Sequence, residues 1–389
     1  MKKKIAIVTR QLITGGIEKA LISMLEVIPK DDFEVTLFVM ARGGEFEQFI
    51  PKWVKIKNLY GEENTIKEKV INKIKKLRFI SAIKIGLYSI HALKVKPGYE
   101  QESVLSKILP EQEEEYDLAI AYHVPASFPV IYVSEHLKAK KKIAWIHSDV
   151  EVYKGYMKKY INYYYKFNKI YCVSKFAQDK FNVQYPELAY KTDVFYNIIN
   201  PKELYKMAKL NTGFDDNYDG IRILTVGRLS EEKGYDIIPH IVYRLKQEKM
   251  NIKWYILGEG GLRKVLEEKI KDMNLNNNII LLGNKNNPYP FFKDCDIYVQ
   301  PSRHEGYCIT LAEARIFKKP IITTNFIGAK EQIIHNENGI MVEFDKNQIY
   351  ESIKRLIYNG DMRKKFISKL KEESDKDKFN IEELYQVIK

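Results

Sequence analysis

The chain has 389 residues, 45% of them hydrophobic, with 20 glycines and 13 prolines. That is too long for one ordinary core, too apolar for a disordered chain and too poor in glycine and proline for a fibrous one, so two α/β domains of roughly 150–200 residues each are expected. The formal net charge of +13 bears on partners, not fold, and suggests either nucleic acid or an anionic membrane surface.

Met1-Lys2-Lys3-Lys4 and then Ile5-Ala6-Ile7-Val8 start like a signal peptide. Four apolar residues are too few for its hydrophobic region, and the run reads as a first β-strand. Gln11 to Gly16 form a loop ending in Gly15-Gly16, and residues 17–28 place Ile17, Leu21, Leu25 and Ile28 at helical spacing. Residues 34–40 are strand-like, and further strands are expected at 117–122, 142–146 and 169–173. This alternation predicts a parallel sheet covered by helices. No window approaches 18 uninterrupted apolar residues, so no ordinary transmembrane helix is expected. Cys172, Cys295 and Cys308 make no CxxC pair and read as buried or half-buried thiols in a reducing compartment.

Residues 67–96 hold nine Lys or Arg and one acidic residue, mixed with Ile71, Ile74, Leu77, Phe79, Ile80, Ile83, Ile85 and Leu87. One or two basic amphipathic helices fit this pattern. They are either a solvated face over the N-terminal core or an attachment to anionic lipid. From Tyr153 to Lys169, tyrosines alternate with lysines. Such a cluster suits base stacking, a lipid headgroup layer or sugar rings. Nothing resembles a zinc finger, an RRM core or a KH loop, so no nucleic-acid partner is expected.

Polar, turn-rich residues 201–220 read as a linker between residues 1–200 and a second domain over 221–370, with a helical tail at 371–389 that could cross back to the first. Second-domain strands are expected at 221–226, 252–257, 279–282, 296–299 and 320–323, and helices at 234–248, 261–272, 306–317 and 329–335.

Four constellations could carry chemistry. Gly227 lets the chain turn as it leaves a strand, and Arg228 and Lys233 then stand near the ligand edge of a parallel sheet, where a guanidinium fork and an ammonium could neutralise a diphosphate. Glu305 follows another strand; a helix beginning near Gly306 would offer free N–H groups to a phosphate and would place Glu313 about 12 Å along the same side. That spacing is too wide for a two-carboxylate hydrolase and suits two parts of one elongated ligand. Gly15-Gly16 could bring backbone N–H groups close to a phosphate. His147, within Trp145-Ile146-His147-Ser148-Asp149, could donate to a sugar, act as a base or be a core histidine. Asp294-Cys295-Asp296 spells DxD, but two carboxylates without further ligands read as structural, and no metal site is expected.

Glu305 to Glu313 resembles the EX7E motif of the retaining GT-B glycosyltransferases of family 4, as found in bacterial capsular, exopolysaccharide or lipopolysaccharide synthesis. The resemblance extends over Val226-Gly227-Arg228-Leu229, Glu232-Lys233-Gly234, Leu257-Gly258-Glu259-Gly260, Pro301-Ser302, Pro320-Ile321-Ile322 and Asn338-Gly339. It is strong over about residues 220–345 and looser over 1–200. Lys319, before Pro320, departs from it where many relatives carry glycine, and Lys318 beside it departs as well. It implies an α/β GT-B fold, two Rossmann-like domains with parallel sheets facing a central cleft, the first binding acceptor and the second a nucleotide sugar. It further implies that Arg228 and Lys233 hold the donor diphosphate, that Glu305 meets the transferred sugar and Glu313 the ribose. Backbone groups at Ile309, Thr310, Gly15 and Gly16 would meet the phosphates, and His147 would touch the donor sugar. No essential cofactor is implied; the donor is expected to be a UDP-sugar and the acceptor a glycan or polyprenyl-linked saccharide. The expected location is the bacterial cytoplasm, peripheral on the inner face of the plasma membrane. A phosphorylase or nucleotide-sugar hydrolase on the same fold, and a non-catalytic basic scaffold, are the alternatives.

Overall fold

A computed structural model describes residues 2–13, 15–60, 66–109, 112–148, 150, 153–376 and 381–388. The chain divides into two compact units, one of residues 1–198 with 380–389 and one of residues 199–379. The segment 201–220, which the sequence suggests as a linker, lies within the second unit.

The first unit runs β1 (Lys3–Thr9), α1 (Gly16–Val27), β2 (Phe33–Val39), β3 (Lys55–Asn58), α2 (Ile66–Lys75), α3 (Phe79–Lys94), α4 (Tyr99–Ser106), β4 (Glu115–His123), α5 (Phe128–Glu135), β5 (Lys138–Ile146), α6 (Lys154–Tyr164), β6 (Lys169–Cys172), α7 (Lys175–Gln184) and β7 (Thr192–Val194). Among the described residues its strands form one parallel sheet in the order β3-β2-β1-β4-β5-β6-β7. Ile5, Ala6, Ile7 and Val8 of β1 are fully buried. A central parallel strand is covered on both faces, so it reads as an unbroken apolar run and not as an alternating one.

The second unit runs α8 (Pro201–Met207), β8 (Ile221–Val226), α9 (Ile238–Gln247), β9 (Ile252–Leu257), α10 (Arg263–Asp272), β10 (Ile279–Gly283), α11 (Tyr289–Asp294), β11 (Ile297–Gln300), α12 (Ile309–Ile316), β12 (Ile321–Thr324), α13 (Ile327–Lys330), β13 (Ile340–Val342), α14 (Lys346–Tyr358) and α15 (Gly360–Lys376). Its parallel order is β10-β9-β8-β11-β12-β13. Relative to chain order this is 3-2-1-4-5-6, the doubly wound dinucleotide-binding arrangement. The last helix, α16 (Ile381–Ile388), belongs with the first unit, where the Tyr385 hydroxyl donates to Val27 O at 3.0 Å.

Local chemistry explains the helix boundaries. Asp345 caps α14 by accepting from Asn347 N and Gln348 N, and Asn200 caps α8 ahead of Pro201; each such cap contributes about 1 kcal/mol. α9 buries Ile238, Ile241, Val242 and Leu245, the i, i+3, i+4, i+7 stripe of a helix on a sheet. The helix expected from residue 234 starts later, because residues 231–233 and 235–237 are single 3-10 turns on either side of Gly234.

A polar thread fixes the centre of the second sheet. Trp254 Nε1 donates to Thr225 Oγ1 at 2.9 Å, and Thr225 Oγ1 donates to Val299 O at 2.8 Å. The thread crosses β9, β8 and β11, so the fully buried indole has its partner. Where β8 and β9 end, Gly258 adopts φ +140°, and a Cβ there would lie 1.9 Å from Gly227 O. Both the backbone angle and the contact exclude a side chain. Gly258→Ala is therefore expected to destabilise the protein by about 2 kcal/mol or more. Denaturant unfolding followed by circular dichroism checks this; an unchanged midpoint would show that the strand ends can separate freely.

Candidate functional site

In open parallel sheets, ligands sit outside the carboxyl ends of the strands, where the strand order reverses. In the second unit that point lies between β8 and β11. The loop after β8 carries Gly227, Arg228 and Lys233, and the loop after β11 carries Pro301 to Cys308. The two loops are tied together. Lys233 Nζ forms an ion pair and hydrogen bond with Glu305 Oε1. Arg303 forks onto Asp236 at 2.7 and 2.8 Å, and its backbone N–H donates to Glu232 O at 2.7 Å. Between them Gly234, at φ +69°, lies so close to Pro301 that a Cβ would approach its carbonyl oxygen to 2.0 Å.

Burial alone would lower the pKa of the Lys233 ammonium, but Glu305 beside it outweighs that and raises it. Arg228 is exposed. Burial would raise the Glu232 carboxyl; the Ser230 hydroxyl, with the charges of Lys233 and Arg228, outweighs burial and lowers it.

Glu305 is held by a relay that the sequence does not announce. Ser302 Oγ donates to Glu305 Oε1 at 3.2 Å, and Gln300 Nε2 donates to Ser302 Oγ at 2.8 Å. Gln300 Oε1 in turn accepts from Tyr298 OH at 2.5 Å and from Thr310 Oγ1 at 3.2 Å. The available signal was a polar Gln300 ending an otherwise apolar, fully buried strand.

The helix expected from Gly306 begins at Ile309. Cys308 occupies the left-handed region at φ +61° and caps it. Glu305 is therefore a loop residue, and the separation of Glu305 from Glu313 along one helix does not hold. Leu311 N and Ala312 N bond back to Cys308 O at 3.1 and 3.3 Å. Ile309 and Thr310 then form the first turn, whose N–H groups have no carbonyl within the helix. The Cys308 thiol beside them is pushed up to about 12 by burial together with the charge of Glu305. It stays protonated near neutrality. Glu313 is 1% exposed and accepts from the Tyr289 hydroxyl at 3.1 Å. A ligand reaches it only if neighbouring side chains give way.

The DxD residues serve the scaffold. Asp294 ends α11, and Asp296 Oδ2 accepts from Arg222 N at 2.8 Å. No cluster of three or more His, Cys, Asp or Glu able to hold a metal occurs among the described residues.

In the first unit, Gly15 precedes α1 and Gly16 is its first residue, after the C-terminal end of β1. His147 directly follows β5, and Asp149 lies outside the described residues. The imidazole packs 4.2 Å from the Tyr122 ring, and its backbone N–H donates to His123 O at 3.3 Å. Burial, then the neighbouring His123, lowers its pKa to about 3. It is neutral at physiological pH, with Nε2 buried and without a hydrogen-bond partner among the described residues. Near the same sheet edge Arg10 meets Glu102 at 3.3 Å, and Tyr160 OH donates to Glu102 Oε2 at 2.5 Å. The sequence marks Tyr160 only as one of a tyrosine–lysine cluster and gives no sign of Arg10 or Glu102, because Glu102 arrives on α4 from far along the chain. The Tyr153–Lys169 cluster is split: Met157, Tyr160, Tyr164 and Phe167 are buried in the core, while Lys154, Tyr156, Lys158, Lys159, Tyr165 and Lys166 are exposed.

Two doubly wound parallel sheets, each gathering polar groups at its carboxyl edge, define a class of two-domain nucleotide-binding α/β proteins. Comparison with known proteins narrows it. A family model described as glycosyl transferases group 1 matches residues 214–373. The chain is 30% identical over 316 residues to an uncharacterized glycosyltransferase, MJ1178, of Methanocaldococcus jannaschii, across 78% of this chain and 79% of that one. It is 31% identical over 183 residues to the N-acetylgalactosamine-N,N'-diacetylbacillosaminyl-diphospho-undecaprenol 4-alpha-N-acetylgalactosaminyltransferase of Campylobacter jejuni, across 46% of this chain and 48% of that protein. The match thus spans about half the length of the Campylobacter enzyme. Among solved structures, Anabaena Alr3699/HepE in complex with UDP and glucose superimposes with a TM-score of 0.70 at 16% identity, covering 99% of this chain and 98% of that one. The fold is GT-B, and the chain belongs to the group 1 glycosyltransferase family.

The buried imidazole has a measurable consequence. With a folded pKa of about 3 against an ordinary 6.5, the unfolded chain binds more protons than the folded one below pH 6.5. Stability from this group is complete above that pH and is lost as pH falls towards 3. One such group accounts for about 2 kcal/mol of loss at pH 5. Urea unfolding at pH 7 and pH 5 is expected to show a smaller loss for His147→Gln than for the unaltered chain. Equal losses would mean that the imidazole is solvated.

Proposed function

We propose that the chain is a retaining glycosyltransferase of the EX7E, family 4 type, moving a sugar from a UDP-sugar to a saccharide acceptor, lipid-linked or polysaccharide. The observation that carries this reading is the Lys233–Glu305 pair beside the exposed Arg228, at the reversal point of a doubly wound sheet. When the donor's glycosidic bond breaks, negative charge grows on the departing diphosphate. Arg228, Lys233 and the first-turn N–H groups of Ile309 and Thr310 stabilise that charge more in the transition state than in the ground state. Glu305, set in place by Ser302 and Gln300, takes the hydroxyls of the transferred sugar, and Glu313 takes the ribose. His147 offers a neutral imidazole to the donor sugar, acting as a hydrogen-bonding group and not as a resident charge.

The acceptor hydroxyl attacks from the face the diphosphate leaves, and the departing phosphate oxygen takes its proton. This gives retention with no enzyme carboxylate as nucleophile. UDP as the carrier draws support from the Anabaena neighbour, solved with UDP and glucose. A lipid-linked acceptor draws support from the Campylobacter relative, whose name describes one.

Arg228 gives the cleanest test. It is exposed, so its removal leaves no buried charge behind, whereas loss of Lys233 strands Glu305. Once a screen of nucleotide sugars has found the donor, Arg228→Ala is expected to lower kcat by roughly 10²-fold or more with an unchanged melting curve. Turnover near that of the unaltered enzyme would remove Arg228 from the reaction. NMR of the product is expected to show the donor's anomeric configuration; an inverted product would end the retaining assignment.

A further inference from the structure

The helix α3 is built inside out for a helix lying on a soluble domain. Its inward stripe is Ala82, Ile85, Ser89 and Ala92, all buried. Its large apolar residues face outward: Ile80 is 85% exposed, Ile83 63%, Leu87 64% and Leu93 83%, with Phe79 and Ile90 also exposed. Helices on a domain surface bury their largest apolar side chains. Contiguous exposed apolar patches of this kind mark interaction sites. Nothing in the proposed transfer chemistry uses this face.

Charge selects the occupant. Residues 67–96 hold nine Lys or Arg against Glu68 alone. Lys67, Lys75, Lys76, Arg78, Lys84, Lys94 and Lys96 are exposed. A second copy of the chain would set this positive face against its like. An anionic bilayer satisfies both features, since headgroups attract the cations while the apolar stripe enters the acyl boundary. The lysine stems can lie along the apolar surface and lift their ammonium groups to the headgroups. No described helix is long and apolar enough to cross a membrane, and α3, at about 24 Å by helical rise, fits in the plane of the interface.

We infer that the outward face of α3 is a membrane-docking surface, with Ile80, Ile83, Leu87, Ile90 and Leu93 entering an anionic leaflet and the flanking lysines and Arg78 binding its headgroups. The inference stands apart from the transfer chemistry and would place the enzyme peripherally on a leaflet rich in anionic lipid.

Flotation of the full chain with phosphatidylglycerol–phosphatidylcholine vesicles tests it, with pure phosphatidylcholine vesicles for comparison. The unaltered chain is expected to bind the anionic vesicles at least ten-fold more tightly than the neutral ones, and less tightly at high salt. Ile80→Ser, Ile83→Ser and Leu87→Ser together are expected to weaken binding ten-fold or more. These side chains are exposed, so the helical circular dichroism signal should persist. A second reading avoids disrupting the stripe: Leu87→Trp, with brominated lipid in the vesicles, should show fluorescence quenching on binding. Three results would overturn the inference. These are no flotation of the unaltered chain, equal flotation of the serine variant without quenching at Trp, or a dimer that the serine changes dissociate while vesicles bind neither form.

Discussion

Lys233 and Glu305 come from loops 72 residues apart in sequence, and their ion pair is the constraint on which the second unit's site depends. Each loop leaves a strand at the point where the sheet reverses direction, so the fold brings them together before any side chain is chosen. The pair then sets the details. Glu305 facing Lys233 raises the pKa of the ammonium against the desolvation that lowers it, and Ser302, itself bonded to Gln300, donates to Glu305 and holds it in position. Breaking either side would leave a desolvated charge without its partner, which costs far more than a surface ion pair contributes.

The two units use one architecture for different electrostatics. In the second, cations gather at the carboxyl edge of the sheet, where parallel strands and a helix N-terminus already favour an anion. In the first, the same edge holds two imidazoles, the buried His147 and the half-buried His123, both with a pKa lowered to about 3 chiefly by desolvation. A neutral imidazole can accept or donate a hydrogen bond without adding charge. That suits contact with uncharged sugar hydroxyls better than contact with phosphate.

Much of this was legible because a central parallel strand announces itself. Ile221–Val226 and Ile252–Leu257 are apolar apart from Arg222, Thr225 and Lys253, and the structure begins and ends them where the sequence suggests. The edge strands are different. β3, Lys55-Ile56-Lys57-Asn58, has no fully buried residue, so hydropathy does not mark it, and β7 and β13 have only three residues each. Helix ends depend on backbone angles that glycine usually signals. Cys308 at φ +61° and Lys318 at φ +54° adopt left-handed geometry without being glycine. The sequence therefore suggests a start for α12 three residues before the observed one, and with it a helical spacing between Glu305 and Glu313 that the structure does not have. For α3 the helical period was visible in the sequence but its orientation was not. Which side faces the domain depends on the packing of α2 and α4 beside it, and the residues buried are Ala82, Ile85, Ser89 and Ala92.

If the two cations hold the diphosphate, the phosphates and not the base should supply most of the binding that Arg228 and Lys233 control. The direct measurement is calorimetric titration of the unaltered chain and of Arg228→Ala with UDP and with uridine. The expected result is tighter binding of UDP than of uridine by two orders of magnitude or so, with most of that gap lost in the variant and uridine affinity unchanged. An equal gap in both proteins would contradict the role assigned to this edge of the sheet.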